Sequence, residues 1–228
     1  MCIRDSINGE NSAFDIRQNR PAWGIAEADL RITQGANFRD FEEDVFKADM
    51  EEDDRVDKVV SMGFYVTTLA GTEEKAPQFF PGRVYDDDFE KMGLGVYEGR
   101  NPVFEDEIAL GYSSALEHNK TIGDTLDIFM EGQLRPFLVT GIFQSVDDLG
   151  KGFRIRLEGI QEYNPLYKLD RYHIKLEKGE DVASFEEDLL KTYGSTYRIQ
   201  TTGDFEDMLT GILEGLADVI LMLSLIHI

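Results

Sequence analysis

The sequence predicts an α+β fold in which both ends of the segment form a β-α-β lobe and a small β-rich lobe is inserted between them. Two observations carry this expectation. A strand, an amphipathic helix and a second strand occur from residue 28 and again from residue 172, and between these units short segments alternate apolar and polar side chains at the period of strands. The expected divisions are 25–90 and 169–202 for the two halves of the α/β lobe and 91–168 for the inserted lobe. Residues 1–24 are expected as an N-terminal stalk or linker, and 203–228 as a stalk helix followed by the start of a transmembrane segment.

The first unit opens with residues 28–33 (ADLRIT), which alternate like a half-buried strand. Phe38, Phe41, Val45, Phe46 and Met50 then fall on one helical face, with Asp40, Glu42, Glu43, Asp44 and Asp49 opposite. Residues 59–69 (VVSMGFYVTTL) are rich in β-branched and aromatic side chains and read as a strand. The second unit repeats this order. Tyr172, Ile174 and Leu176 alternate, Lys178-Gly179-Glu180 turns, and Ser184 with Glu187 three residues on has the form of a capping box. Phe185, Leu189, Leu190 and Tyr193 define the buried face of that helix, Gly194 is placed to end it in a left-handed conformation, and 197–201 (YRIQT) closes the unit.

Within the insert, 107–110 reads as a short strand and 113–118 as a helical turn or two. Residues 125–130 put Leu126, Ile128 and Met130 inward and Thr125, Asp127 and Phe129 outward, and Glu131-Gly132 turns the chain into 137–143 (FLVTGIF), which predicts a hairpin.

The run from 99 to 143 resembles the extracytoplasmic domains of MacB/FtsX-type ABC transporter permeases, the MacB-like periplasmic core domain. The likeness rests on the order of Gly99-Arg100, Pro102, Glu107-Ile108, Ala115-Leu116, Gly123-Asp124 and Gly141-Ile142. The resemblance implies architectural roles for Gly99, Arg100, Pro102, Glu107, Gly123, Asp124 and Gly141. It further implies a cell-membrane protein with this domain on the extracytoplasmic side, a cytoplasmic ABC ATPase subunit or domain as partner through the membrane part, a permease dimer, and an extracytoplasmic substrate or protein partner. Such a domain couples ATP hydrolysis to export or to mechanical signalling and catalyses nothing itself. The alternative is a membrane-anchored extracellular ligand-binding or adhesion domain.

From Asp204 the chain reads DFEDMLTGILEGLADVILM, with acids in the first turn, where the helix dipole favours them. Phe205, Leu209, Ile212, Leu213, Leu216 and Ile220 share one face, and the helix is expected to run unbroken through Gly211 and Gly215. The apolar run that follows is shorter than the ~20 residues a spanning helix needs. Residues 1–6 (MCIRDS) and 223–228 (LSLIHI) resemble translated sequencing-adapter sequence, so the native protein is expected to continue past both ends and no role is assigned to Cys2 or His227.

Charge and motif content narrow the function classes. With 45 acidic and 23 basic residues the formal charge is -22, which repels nucleic-acid phosphates and anionic lipid headgroups. Cys2 is the only cysteine, so a disulfide framework and a cysteine metal site are excluded. His118 and His173 lie far apart, no Ser-centred elbow or H-E-x-x-H occurs, and the glycines of 93–99 lack phosphate-loop spacing, so neither catalytic residues nor a cofactor are expected. The runs 51–54 and 86–88 are acidic, but they lack the alternating ligand spacing of a calcium loop and read as solvated loops. Phe79, Phe80, Tyr85, Tyr163 and Tyr167 sit in Pro/Gly-containing stretches and are candidates either for partner contact or for burial between the lobes.

Overall fold

The computed structural model describes residues 16–34, 43–69, 78–86 and 89–226. In chain order the elements are β1 (Leu30–Gln34), α1 (Glu43–Glu52), β2 (Val56–Leu69), β3 (Gln78–Tyr85), β4 (Glu98–Gly99), β5 (Glu107–Gly111), α2 (Tyr112–Glu117), β6 (Thr125–Met130) and β7 (Gln133–Phe143). β8 (Phe153–Arg156), α3 (Leu157–Gln161), β9 (Arg171–Leu176), α4 (Val182–Tyr193), β10 (Tyr197–Thr201) and α5 (Thr202–Ile226) follow.

The two repeated units share one sheet in the order β10-β1-β9-β2. β1 runs antiparallel to both β10 and β9, and β9 runs antiparallel to β2. Each helix therefore connects two parallel strands with one strand of the other unit between them, a pair of interlocked split β-α-β units. Phe46 and Met50 of α1 and Phe185 and Leu189 of α4 cover one face, packing on Leu30, Ile32, Tyr172, Ile174 and Tyr197. Ala26, Ala28, Val60, Met62, Phe89, Met92 and Leu94 cover the other face.

Several local expectations are corrected. Val45 is 51% exposed and Leu190 49% exposed, so the buried stripe of each helix is narrower than the apolar pattern. Phe38, Phe41, Asp40 and Glu42 lie outside the described residues. The second helix starts ahead of Ser184: its N-cap is Asp181, whose carboxylate accepts from the Ala183 amide at 3.3 Å. Aspartate caps as well as serine, and this one directly follows the Lys178–Glu180 turn, so the helix begins at the first available cap. Gly194 keeps a right-handed conformation (φ -63, ψ -14), because the chain leaves through a turn in which the Thr196 amide donates to the Tyr193 carbonyl. In the described part of the first 24 residues, expected as a stalk or linker, Arg20–Trp23 forms a 3-10 helix and Ile16 is buried.

β2 joins the two parts of the fold. Val56–Met62 pair with β9, whereas Met62–Leu69 pair with β3. From there β3 pairs β8, β8 pairs β5, β5 pairs β7, β7 pairs β6, and β6 returns to β2 through Leu69 and Ile128, so six strands close into a ring. The Thr67 hydroxyl donates to the Phe129 carbonyl across that last seam. Val84, Ile108, Leu110, Ile128, Phe137, Val139, Phe153 and Ile155 fill the ring. The β6–β7 hairpin follows the predicted alternation, and Glu131 (φ 47) and Gly132 (φ 78) form its two-residue turn with both residues left-handed, as such hairpins require.

Candidate functional site

The motif residues of the insert, spread from 99 to 141 in sequence, converge where β4 and β5 flank β7. Gly99 stands opposite Gly141, and a side chain on Gly141 would come within 2.2 Å of the Arg100 carbonyl oxygen. The two strands can cross only where both positions lack a Cβ. Arg100 then reaches back to Glu107 with both terminal nitrogens of its guanidinium, Nη1 at 2.6 Å. The same carboxylate accepts from the amides of Val103 at 2.8 Å and Phe104 at 3.2 Å. Its side chain is only 4% exposed, and the guanidinium and the two amides hold it at a pKa of about 2 against burial, which acts the other way. Pro102 is buried beside this network. Gly123 is left-handed (φ 92), and the Asp124 carboxylate accepts from the Thr121 amide and hydroxyl, tying off the turn that feeds β6. These residues shape a loop, 102–106, that presents Val103 and Phe104 to solvent, each 58% exposed.

A second constellation lies where the chain arrives at β1 and leaves β10. Thr201 caps α5: its hydroxyl accepts from the Asp204 amide at 3.0 Å and donates to the Asp204 carboxylate at 2.7 Å. Arg31 of β1 stacks over Phe205 at 3.8 Å. Glu206, 1% exposed, accepts a two-pronged pair of bonds from Arg20 at 2.5 and 3.0 Å. This carboxylate raises the Arg20 pKa above its ordinary value. Arg17 adds an exposed pair to Asp207. Sequence reading missed this clamp because it ranked α5 by apolar residues. The side of α5 that meets the fold is Thr202, Phe205, Glu206, Leu209 and Leu213, while Ile212 and Leu216 are 53% and 55% exposed. The usable signal was Arg20 lying in the arriving segment and Glu206 at the four-residue spacing from Thr202. α5 is unbroken through Gly211 and Gly215, and among the described residues no helix is long and apolar enough to cross a membrane.

The five aromatic candidates are not brought together. Phe80 (2% exposed) fills the ring and Tyr85 (5% exposed) the core under the sheet. Tyr163 and Tyr167 are half-buried against the ring, with Arg135 over the Tyr163 ring at 3.9 Å, and Phe79 is 69% exposed. In the acidic runs, Asp53 pairs with Arg55 at 2.8 Å and Asp86 with Lys47 at 2.5 Å, whereas Asp87 and Asp88 lie outside the described residues. Among the described residues no group of three or more His, Cys, Asp or Glu could hold a metal ion.

His173 sits on β9, on the face opposite Tyr172 and Ile174, with its Nδ1 buried and without a hydrogen-bond partner. Burial pulls its pKa down to about 3, and Arg31, Arg171 and Arg83 act in the same direction. The unfolded chain binds this proton near the ordinary value of 6.5, so stability is full above that pH and falls as pH drops from 6.5 toward 3. Between pH 6.5 and 5 the loss should reach about 2 kcal/mol. Urea-unfolding midpoints across that range should therefore shift in the native chain and stay nearly flat in His173→Gln; equal pH slopes would rule the assignment out.

No family model matches the sequence, and no curated protein matches it. Structural comparison shows a fold shared with the outer domains of two transport proteins, MacB and YknZ. The chain is similar to the periplasmic region of MacB from Actinobacillus actinomycetemcomitans (TM-score 0.58, 17% identity, covering 90% of this chain and 96% of that one). It is also similar to the extracellular domain of the noncanonic ABC-type transporter YknZ from Gram-positive bacteria (TM-score 0.54, 14% identity, 76% and 98% covered).

Proposed function

We propose that this chain is the extracytoplasmic domain of an ABC transporter permease, which couples ATP hydrolysis by a cytoplasmic subunit or domain to export or to mechanical signalling outside the membrane. The observation that carries this reading is the Arg20–Glu206 clamp. It fastens the segment arriving at the domain to the helix leaving it, so force on either strand of chain is delivered to the same point of the sheet. α5 is 25 residues of continuous helix, and the part beyond Glu206, residues 207–226, extends about 30 Å as a stiff lever of hydrogen-bonded turns. The permease works as a dimer in this reading, and the domain contributes no chemistry of its own.

In the intact membrane protein, replacing Gly211 and Gly215 together by proline should break the lever, since each proline costs about 3 kcal/mol in a helix interior. ATP hydrolysis should continue while the extracytoplasmic function is lost, and the isolated domain should stay folded, with an unchanged thermal midpoint. Undiminished function in that variant would refute the lever.

A further inference from the structure

A strand with one face in a core alternates apolar with polar side chains, and the β6–β7 hairpin breaks that rule on its outward face. Leu126, Ile128 and Met130 point into the ring. The outward positions therefore form three cross-strand rows: Thr125 opposite Leu138, Asp127 opposite Pro136, and Phe129 opposite Leu134. Phe129, Leu134 and Leu138 are 37%, 49% and 41% exposed. The loop 102–106 widens the first row. Glu107 stands beside Leu138 in register on β5, the Leu138 amide donates to the Asp106 carbonyl at 2.8 Å, and the Glu107 carboxylate holds the amides of exposed Val103 and Phe104.

The middle row is different, because it carries a charge between two apolar rows. Asp127 is exposed, and its cross-strand neighbour is Pro136, which offers no cation. Among the described residues no ion pair reaches this carboxylate. Arg100 is committed to Glu107, Lys120 donates to the Thr125 carbonyl at 2.7 Å, and Arg135 lies on the opposite face of the hairpin over the Tyr163 ring.

We propose that this face docks an extended segment of a partner protein in which a lysine or arginine lies midway between two apolar residues, each two positions away. Rows two residues apart along a strand are separated by about 6.6 Å, which is also the spacing of alternate side chains in another extended chain. The outer side chains of the segment then cover Leu138 and the Phe129–Leu134 pair, and the central cation meets Asp127. Covering the apolar rows removes water from around that contact, which strengthens it relative to an open surface pair. A second copy of this chain fits less well: a two-fold contact sets the same surface on both sides and brings like acids together. The proposal goes beyond the permease reading and does not depend on it.

The probes are the end-blocked peptide Thr-Leu-Thr-Lys-Thr-Leu-Thr, its counterpart with glutamate for lysine, and the isomer Thr-Lys-Thr-Leu-Thr-Leu-Thr. Amide spectra of the isotope-labelled chain locate and titrate binding at millimolar peptide. The first peptide should shift the amides of Val103, Phe104 and residues 125–138 saturably, and the glutamate and isomer peptides should each bind about fivefold more weakly. Asp127→Asn should weaken the first peptide about fivefold and erase its advantage over the glutamate form. Diffuse attraction would barely respond to the loss of one of 45 acidic residues. Leu138→Ser, which changes no charge, should also weaken binding about fivefold. Both side chains are exposed, so both variants should keep the native thermal midpoint. Shifts absent from this face, equal binding of the lysine and glutamate peptides, binding unchanged by Asp127→Asn or by Leu138→Ser, or a chain dimer in sedimentation that Leu138→Ser dissolves would each overturn the proposal.

Discussion

Replacing Glu107 with alanine is expected to destabilise the chain by about 2–3 kcal/mol, measured as a fall in the urea-unfolding midpoint at neutral pH. The cost arises on the amide side of the network. The amides of Val103 and Phe104 lose the buried carboxylate that accepts from both, whereas Arg100, 48% exposed, can return to solvent. Glu107→Gln keeps an acceptor for both amides and should cost roughly half as much. The native contribution is fully present above the ordinary carboxyl pKa of 4.5 and is lost as pH falls toward 2, a window that overlaps only the acid end of that of His173. Equal stability of Glu107→Ala and the native chain would remove the network from any account of why these residues occur together.

Glu206→Ala should have the second large effect, and a local one. Removing the buried carboxylate leaves Arg20, 26% exposed, without that partner at the α5 junction, which should cost the docking of α5 about 2–3 kcal/mol. The undocked population would rise about thirty- to a hundred-and-fiftyfold. Hydrogen exchange of the amides of residues 205–213 should accelerate by that factor while β1 and β9 keep their protection. Asp207→Ala should do far less, because both members of the Arg17–Asp207 pair are exposed (60% and 69%) and such pairs contribute 0–1 kcal/mol. Unchanged exchange in Glu206→Ala would mean that the cap at Thr201 and the Arg31–Phe205 stack hold the helix alone.

What the sequence made legible was the structure set by short-range periodicity. The alternation of residues 125–130 and the strand at 197–201 appear at their expected bounds, because an i, i+2 pattern and a two-residue turn act over a few residues. The interlocking of the two units and the closure of the ring at Leu69 and Ile128 depend on partners far apart along the chain, and no local pattern encodes them. The helix faces were misjudged for a related reason: Val45, Leu190, Ile212 and Leu216 are apolar and correctly spaced, but each lies at the edge of a stripe that its neighbour covers only in part. At the candidate sites, Gly99, Arg100, Glu107 and Gly141 were found as a motif and their geometry explains it. Glu206 and Leu138 were missed, since a buried acid and an exposed leucine each contradict the rule by which a sequence is scanned.

The most direct test of the permease reading is topological. Leu166 is 88% exposed, so a single cysteine placed there, with Cys2 replaced by serine, gives a reporter on the membrane protein that carries this domain. On spheroplasts, a membrane-impermeant maleimide should label Leu166→Cys to completion without lysis. Labelling that appears only after the membrane is opened would place the domain on the cytoplasmic side and contradict the proposal.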